Sequence, residues 1–350
     1  MLLIERPKFI TPKVRTLDSF QTFNVKTRDS TGAFLVGELE RLDQKLHEPL
    51  VTVTWSRDID LRTDVSMADE VSSFTNSSFA AAGGFTPNGK SWVGKGANAI
   101  SSMALDIGKT TNPLFLWGQE ISFTIPELES AQRLGRPIDV QKFNAMKLKH
   151  QMDIDEQVYI GDTTLGVYGL FNSPLVTNVS AVANNGTANH YIWASKTADQ
   201  ILADVNTLLT SVWTASGYAI MPSKLLLPPP QFGYLVSQKV SSAGTLSILQ
   251  FLKDNSLCNA ANNRPLDIQP CKWLVGRGNG IPSSAETNGT AYTDRMVAYT
   301  QDEDRVRFPL VPLQRTPVEY RSLYQLTTYF GRLGVIEFVY PETIGYADGI

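Results

Sequence analysis

The sequence predicts an α+β fold, and three observations predict it. The stretch from Pro137 to about Ile160 has no further Gly or Pro and reads as one long helix. Residues 305–350 are crowded with runs in which apolar and polar residues alternate, the pattern of half-buried antiparallel strands. Behind Thr197 a second helical pattern leads to a short apolar strand, so helices and strands distant in sequence are expected to share one sheet.

The composition supports a packed protein. Of 350 residues 42% are hydrophobic and 19% charged, which excludes wholesale disorder. The length suggests about two domains. With 31 Lys+Arg against 34 Asp+Glu the net charge is −3, which argues against a whole-chain nucleic-acid footprint. No apolar run approaches the roughly 18 residues of a membrane span, and the N-terminal Met1–Ile4 is too short for a signal-peptide core. A soluble chain, not secreted by the usual route, is expected. Cys258 and Cys271 are the only cysteines and are read as free thiols in a reducing compartment. Sequons at Asn76, Asn178, Asn185 and Asn288 are read as incidental.

The elements follow in order. Residues 1–28 hold Arg6, Lys8, Lys13, Arg15, Lys26 and Arg28 against Glu5 and Asp18, with prolines at 7 and 12 and no helical period. This is an extended basic segment, either a solvated tail or an arm lying across a neighbouring subunit or an acidic partner. Residues 50–55 alternate with β-branched side chains and predict a strand. Residues 66–119 are poor in charge and rich in Gly, Ser and Ala, yet carry Phe74, Phe79, Phe85, Trp92, Phe115 and Trp117. Aromatics on that scale need a surface to be buried against, so a long two-stranded excursion is expected to dock them in cis or on a neighbour. Met103, Leu105 and Ile107 alternate on its return leg.

A short helix opens at Pro126 and closes near Gly135. The long helix 137–160, roughly 35 Å at 1.5 Å per residue, is too polar to be buried all round and should lie along a sheet. A loop from Gly161 to Asn172 follows, and 173–196 also reads as loop. Thr197 and Gln200 form a capping-box pattern before Ile201, Val205, Leu208, Leu209 and Val212. Lys224–Leu227 is a buried strand, 246–252 a helix and 271–275 a strand, with loops at 255–264 and 276–290. At the C-terminus, alternation over 306–310 and 318–328 followed by Gly331–Gly334 and 335–340 predicts a long antiparallel hairpin turning at the glycines.

The sequence is poor in chemistry. Gly84–Ser91 fits G-x-x-x-x-G-K-[ST], with Lys90 and Ser91 as the phosphate-binding pair. A phosphate loop needs an apolar strand before it and a helix behind it, and Phe79–Gly83 and Trp92–Gly96 supply neither well. Gly276–Gly280 resembles a dinucleotide fingerprint but runs into Ile281-Pro282 rather than a helix. His47, His150 and His190 stand apart in sequence and read as structural or surface residues. Asp58-Ile-Asp60 and Asp302-Glu-Asp304 lack calcium-loop spacing and read as turns. No catalytic residue, cofactor or metal is expected.

Four stretches, taken in order, carry a family resemblance. They are 97–107; Glu127–Ile138 leading into the long helix; Gly161-Asp162 with Gly166–Asn172; and Asp294 to Ile350. In them the chain resembles tailed-bacteriophage major capsid proteins of the Hong Kong 97-type fold, in the branch of short chains without a scaffolding extension. The resemblance implies an N-terminal arm (1–48), a peripheral-domain strand (49–65), an extended β-loop (66–118), a peripheral domain with a spine helix (119–189), an axial domain (190–304) and return strands (305–350). It implies no enzymatic activity. It implies instead self-assembly into hexamers and pentamers of an icosahedral shell around double-stranded DNA held without sequence specificity. Implied partners are a portal protein and either a separate scaffolding or decoration protein or none, with no membrane, and the chain would reside in the virion after assembly in the host bacterial cytoplasm. Arg6, Lys8, Lys13, Arg15, Phe79, Phe85 and Trp92 are the expected inter-subunit contacts. The rivals are an encapsulin-like nanocompartment of the same fold, a P-loop nucleotide hydrolase and a tail-tube subunit.

Overall fold

The computed structural model describes residues 51–81, 95, 103–133, 138–185, 191–241, 246–278 and 294–350. The chain enters through a helical turn, α1 (Trp55–Asp58), and strand β1 (Asp60–Arg62), then leaves the body in a ribbon made of β2 (Val71–Ala81) and β3 (Met103–Pro113). It returns through β4 (Phe115–Thr124), α2 (Ile125–Arg133) and the 22-residue α3 (Ile138–Tyr159). After β5 (Val179–Ala181) come α4 (Ala198–Ala215), β6 (Lys224–Leu227), α5 (Pro229–Ser237), α6 (Ile248–Asn255), α7 (Leu257–Asn262), β7 (Asp267–Pro270) and β8 (Arg295–Tyr299). The chain closes with β9 (Val306–Arg315), β10 (Glu319–Arg321), β11 (Tyr324–Leu333), β12 (Glu337–Phe338) and β13 (Ile344–Asp348).

Two sheets organise the body. A six-stranded sheet runs β1-β9-β11-β10, with β12 also on β9 and β4 along the whole of β11. A five-stranded sheet runs β5-β13-β8-β6-β7, so the last strand of the chain is an interior strand, between β5 and β8. The five-stranded sheet is covered on both faces, as its period-two pattern requires. Leu225, Leu227, Met296, Ala298 and Ala347 pack with the α4 residues Ile201, Val205, Leu208 and Val212. Leu226, Val297, Tyr299, Ile344 and Tyr346 belong to a second core with α3 and the six-stranded sheet, including Ile154, Val158, Phe308 and Leu333. Along α3 the stripe Met146, His150, Ile154 and Val158 is buried at four-residue spacing while Phe143 and Lys147 stay exposed.

Local chemistry explains the ends of the helices. Thr197 Oγ1 accepts from Gln200 N and Gln200 Oε1 accepts from Thr197 N at 2.9 Å, so the expected capping box is present. Helix α3 ends at Gly161, whose φ of 76° suits a residue without a Cβ. The following loop then folds back, and the N–H groups of Gly169, Leu170 and Phe171 donate to the carbonyls of Ile160, Val158 and Tyr159 at 2.9–3.1 Å. That approach needs glycine at 169, where a Cβ would stand 2.3 Å from the Tyr159 carbonyl carbon.

Five expectations are corrected. Residues 51–54 are irregular and lead into α1, because the N–H groups of Thr54 and Trp55 are taken by the Asp155 carboxylate rather than by a neighbouring strand. Residues 271–275 are a 3-10 turn, Lys272–Leu274, and the strand lies earlier, at Asp267–Pro270 in parallel register with β6. Part of 255–264 is helical, since Ser256 caps α7 through Asn259 N. Within 173–196, Val179–Ala181 joins the five-stranded sheet as β5, in parallel with β13. The C-terminal hairpin turns at Ser322-Leu323, with Ser322 at φ 58°, and Gly331 stays in β11 opposite a bulge at Pro312-Leu313.

Candidate functional site

Buried charge in this chain sits at the joints between elements. The first joint is Asp58, at the end of α1 and fully buried. Its carboxylate accepts from Arg57 Nε at 2.7 Å and Nη2 at 2.8 Å, and from the Tyr159 hydroxyl at the end of α3. Lys224 Nζ of β6 stands 3.1 Å from Asp58 Oδ1 and donates to Arg57 O and Gln301 Oε1. Tyr299 of β8 donates to the Asp58 carbonyl at 2.6 Å. One turn back along α3, Asp155 accepts from Thr54 N, Trp55 N and, at 2.7 Å, Trp273 Nε1. This node locks the entry segment, the long helix and the five-stranded sheet together. Burial pushes the Tyr159 and Tyr299 hydroxyls well above the ordinary tyrosine range and the nearby Cys271 thiol up to about 12, so all three stay protonated. The two tyrosines donate to Asp58, and Cys271 packs in the same core.

A second joint lies where β8 and β13 meet the loop behind α3. Arg295 holds Asp348 in a two-pronged pair at 2.6 and 2.9 Å, donates to Phe171 O, and its guanidinium lies 4.6 Å from the Tyr346 ring centroid. The Gly166–Asn172 motif is thereby tied to the end of the chain.

The third joint anchors the ribbon. Glu337 of β12 is fully buried and is met by Arg307 Nε at 2.7 Å, Arg62 Nη1 at 3.1 Å and the Ser72 hydroxyl of β2. Arg62 also donates to Ser73 O and forks onto Asp64. The hydrogen bonds from Arg62 hold the Asp64 carboxyl below its usual range. Arg332 of β11 donates to Met67 O and Leu114 O, on either side of the ribbon's base. From this anchor eleven residue pairs run in antiparallel register, from Val71↔Pro113 to Ala81↔Met103. Within the described residues the two strands pair only with each other. Met103, Leu105 and Ile107 share one face of β3 and are 70%, 62% and 62% exposed. A two-stranded ribbon of this length, with its apolar face open, lacks the packing that stabilises such a structure alone.

The expected contact residues fall around this ribbon or outside the described residues. Phe79 occupies the β2 position opposite Leu105, and its side chain lies outside the described residues. Arg6, Lys8, Lys13, Arg15, Phe85 and Trp92 lie outside them too, as does Gly84–Ser91 with Lys90. Beyond that motif, the next described element is strand β3. The G-x-G-x-G pattern at 276–280 follows a 3-10 turn rather than a strand. Asp302–Asp304 does form a turn, Asp304 N donating to Asp302 Oδ1, whereas Asp58 is not a surface turn residue at all. Sequence reading missed Asp58, Lys224, Arg295, Glu337 and Asp348. The one available signal was a charged residue inside a strongly apolar run, as at Lys224 before three leucines and Glu337 in Val335–Tyr340. Among the described residues no cluster of His, Cys, Asp and Glu could hold a metal ion, and no helix is long and apolar enough to cross a membrane.

A family model described as major capsid protein matches residues 89–350. No curated protein sequence matches the chain. Among solved structures, the capsid of Myoviridae phage XM1 is similar over 89% of this chain and 97% of its own, at 17% identity and a TM-score of 0.68. A structure of Mycobacterium phage Bobi is similar over 91% and 97%, at 13% identity and a TM-score of 0.52. The capsid of a native GTA particle is similar over the same shares, at 12% identity and a TM-score of 0.52. At these identities the likeness is one of fold.

Proposed function

Because the chain belongs to the major capsid protein family and carries the Hong Kong 97-type fold, making it a shell-forming structural protein, we propose that it builds an icosahedral shell of hexamers and pentamers around double-stranded DNA. In this reading the ribbon β2–β3 is the extended loop and lies across a neighbouring subunit. The six-stranded sheet with α3 forms the peripheral domain, and the five-stranded sheet with α4 forms most of the axial domain. Residues 1–48 act as an arm that contacts a neighbour through Arg6, Lys8, Lys13 and Arg15, and Phe79, Phe85 and Trp92 belong to the loop's contact surface. A portal protein completes the particle, with or without a separate scaffolding or decoration protein, in the host bacterial cytoplasm. A mildly acidic chain suits this role, since phosphate contacts repeated over hundreds of subunits would sum to strong, salt-dependent binding of the packaged DNA.

The observation that carries the reading is the ribbon: anchored by buried charge at its base and open along an apolar face. Its test is negative-stain electron microscopy of the chain expressed with its genomic neighbours. The native chain should give closed particles. The variant Met103→Ser/Leu105→Ser/Ile107→Ser should keep its circular dichroism spectrum and fail to close shells. Closed shells from that variant, in native yield, would sink the proposal.

A further inference from the structure

We propose that the cleft between α3 and the β9 edge of the six-stranded sheet binds a small amphipathic anion, an apolar body ending in a carboxylate. The cleft has a volume of about 400 Å³, within the roughly 300–1,000 Å³ of small-molecule sites. Trp55, Phe143, Leu313 and Tyr329 are among its walls. His150 also lines it and is 4% exposed, yet neither ring nitrogen has a hydrogen-bond partner among the described residues. The imidazole touches Trp117 edge-on at 4.6 Å, which packs the ring without satisfying its nitrogens. An unpaired polar group at such depth is destabilising unless a ligand supplies the partner.

The charges in the cleft select the ligand's sign. Lys147 and Arg315 are exposed on its lining, and among the described residues neither is ion-paired. No carboxylate is among the lining residues; on the same helix Asp153 is taken by Trp117 Nε1 and Lys149 Nζ, and Asp155 by Thr54 N, Trp55 N and Trp273 Nε1. Two free cations, a buried donor and aromatic walls together match an anion with an apolar body. A volume of about 400 Å³ suits a free small molecule.

The test uses the purified full chain and a matched pair of probes. Anilinonaphthalene sulfonate carries the anion, and phenylnaphthylamine is the same body without it. The sulfonate should bind one per chain, about tenfold or more tighter than the neutral probe, and decanoate should displace it where decanol does not. His150→Phe, which keeps the ring volume, and Lys147→Ala/Arg315→Ala, both at exposed positions, should each cut sulfonate affinity severalfold with no change in the circular dichroism spectrum. Leu313→Trp should block the cleft. Equal binding of both probes, no binding, or sulfonate binding unchanged in all of these variants would each overturn the proposal.

Discussion

Asp58→Asn is the sharpest test of the idea that buried charge holds the body together. The carboxylate is fully buried between Arg57, Tyr159 and Lys224. After substitution the three partners do not suffer equally. Arg57 has a third of its side chain exposed and can turn to water. Tyr159 keeps Thr54 Oγ1 at 2.9 Å. Lys224, with 2% of its side chain exposed, keeps only the neutral acceptors Arg57 O and Gln301 Oε1 close by, with Asp267 farther off at 3.6 Å. At 3.1 Å and an effective dielectric near 20 the lost attraction is roughly 5 kcal/mol, in line with the ~3–5 kcal/mol typical of breaking a buried pair. The partly exposed Lys149–Asp153 pair at 2.7 Å, four residues apart on α3, should be worth only about 0.3–0.5 kcal/mol. Urea unfolding of the unassembled chain, followed by circular dichroism and tryptophan fluorescence, compares Asp58→Asn with Lys149→Ala. Adding Lys224→Met to Asp58→Asn should recover at least half of the loss, because the orphaned charge goes with it. If Asp58→Asn costs under about 1 kcal/mol, no more than the surface variant, the reasoning about this node is refuted.

Three further outcomes follow from single positions. Gly169→Ala places a methyl 2.3 Å from the Tyr159 carbonyl carbon, so the loop must lift off the end of α3; a loss of about 3 kcal/mol or more in the same assay is expected, and under 1 kcal/mol would contradict the packing. Burial lowers the His150 pKa, so the unfolded chain binds a proton that the native chain refuses below pH ~6.5. Stability from this group is complete above that value and falls as pH drops, at up to ~1.4 kcal/mol per unit, and His150→Phe should flatten the slope of midpoint against pH below about 6.5. Cys258 and Cys271 are buried and burial raises both thiols, Cys271 to about 12; a thiol reagent at neutral pH should label neither until urea unfolds the chain, and rapid labelling of Cys271 would show the node to be open.

What the sequence revealed was local. Helix α3 could be read because its lack of Gly and Pro and its apolar spacing are properties of one segment, and the same holds for the Thr197–Gln200 cap. The ribbon was legible from the alternation of Met103, Leu105 and Ile107 and from the contrast between few charges and many aromatics. The node at Asp58 was not, because its partners lie 101 and 166 positions away and a carboxylate before an isoleucine looks like any turn. The C-terminal turn was misplaced for a related reason. Glycine is the usual sign of a reversal, yet here Ser322 takes the positive φ, while Gly331 is held within β11 by its pairing with Trp117 of β4. In each failure a tertiary contact overrode the local rule.

The distribution of polar and apolar groups bears on how such a shell can assemble without jamming. Burying one of Met103, Leu105 or Ile107 fully is worth ~1.5–3 kcal/mol, so the three together offer only a modest gain before the cost of ordering side chains is subtracted. If the ribbon lies across a neighbouring subunit, as proposed, a contact of that size can break and re-form, and misplaced subunits can leave. It becomes strong only when every subunit in a closed shell makes it at once. That scheme fails if the ribbon swings freely, because each contact must then repay its own orientational entropy. The anchor at Glu337, Arg62, Arg307 and Arg332 prevents this by fixing the base of β2 and β3 to the six-stranded sheet. The costly interactions therefore belong inside the subunit, where they set direction, and the weak ones outside, where they are counted many times.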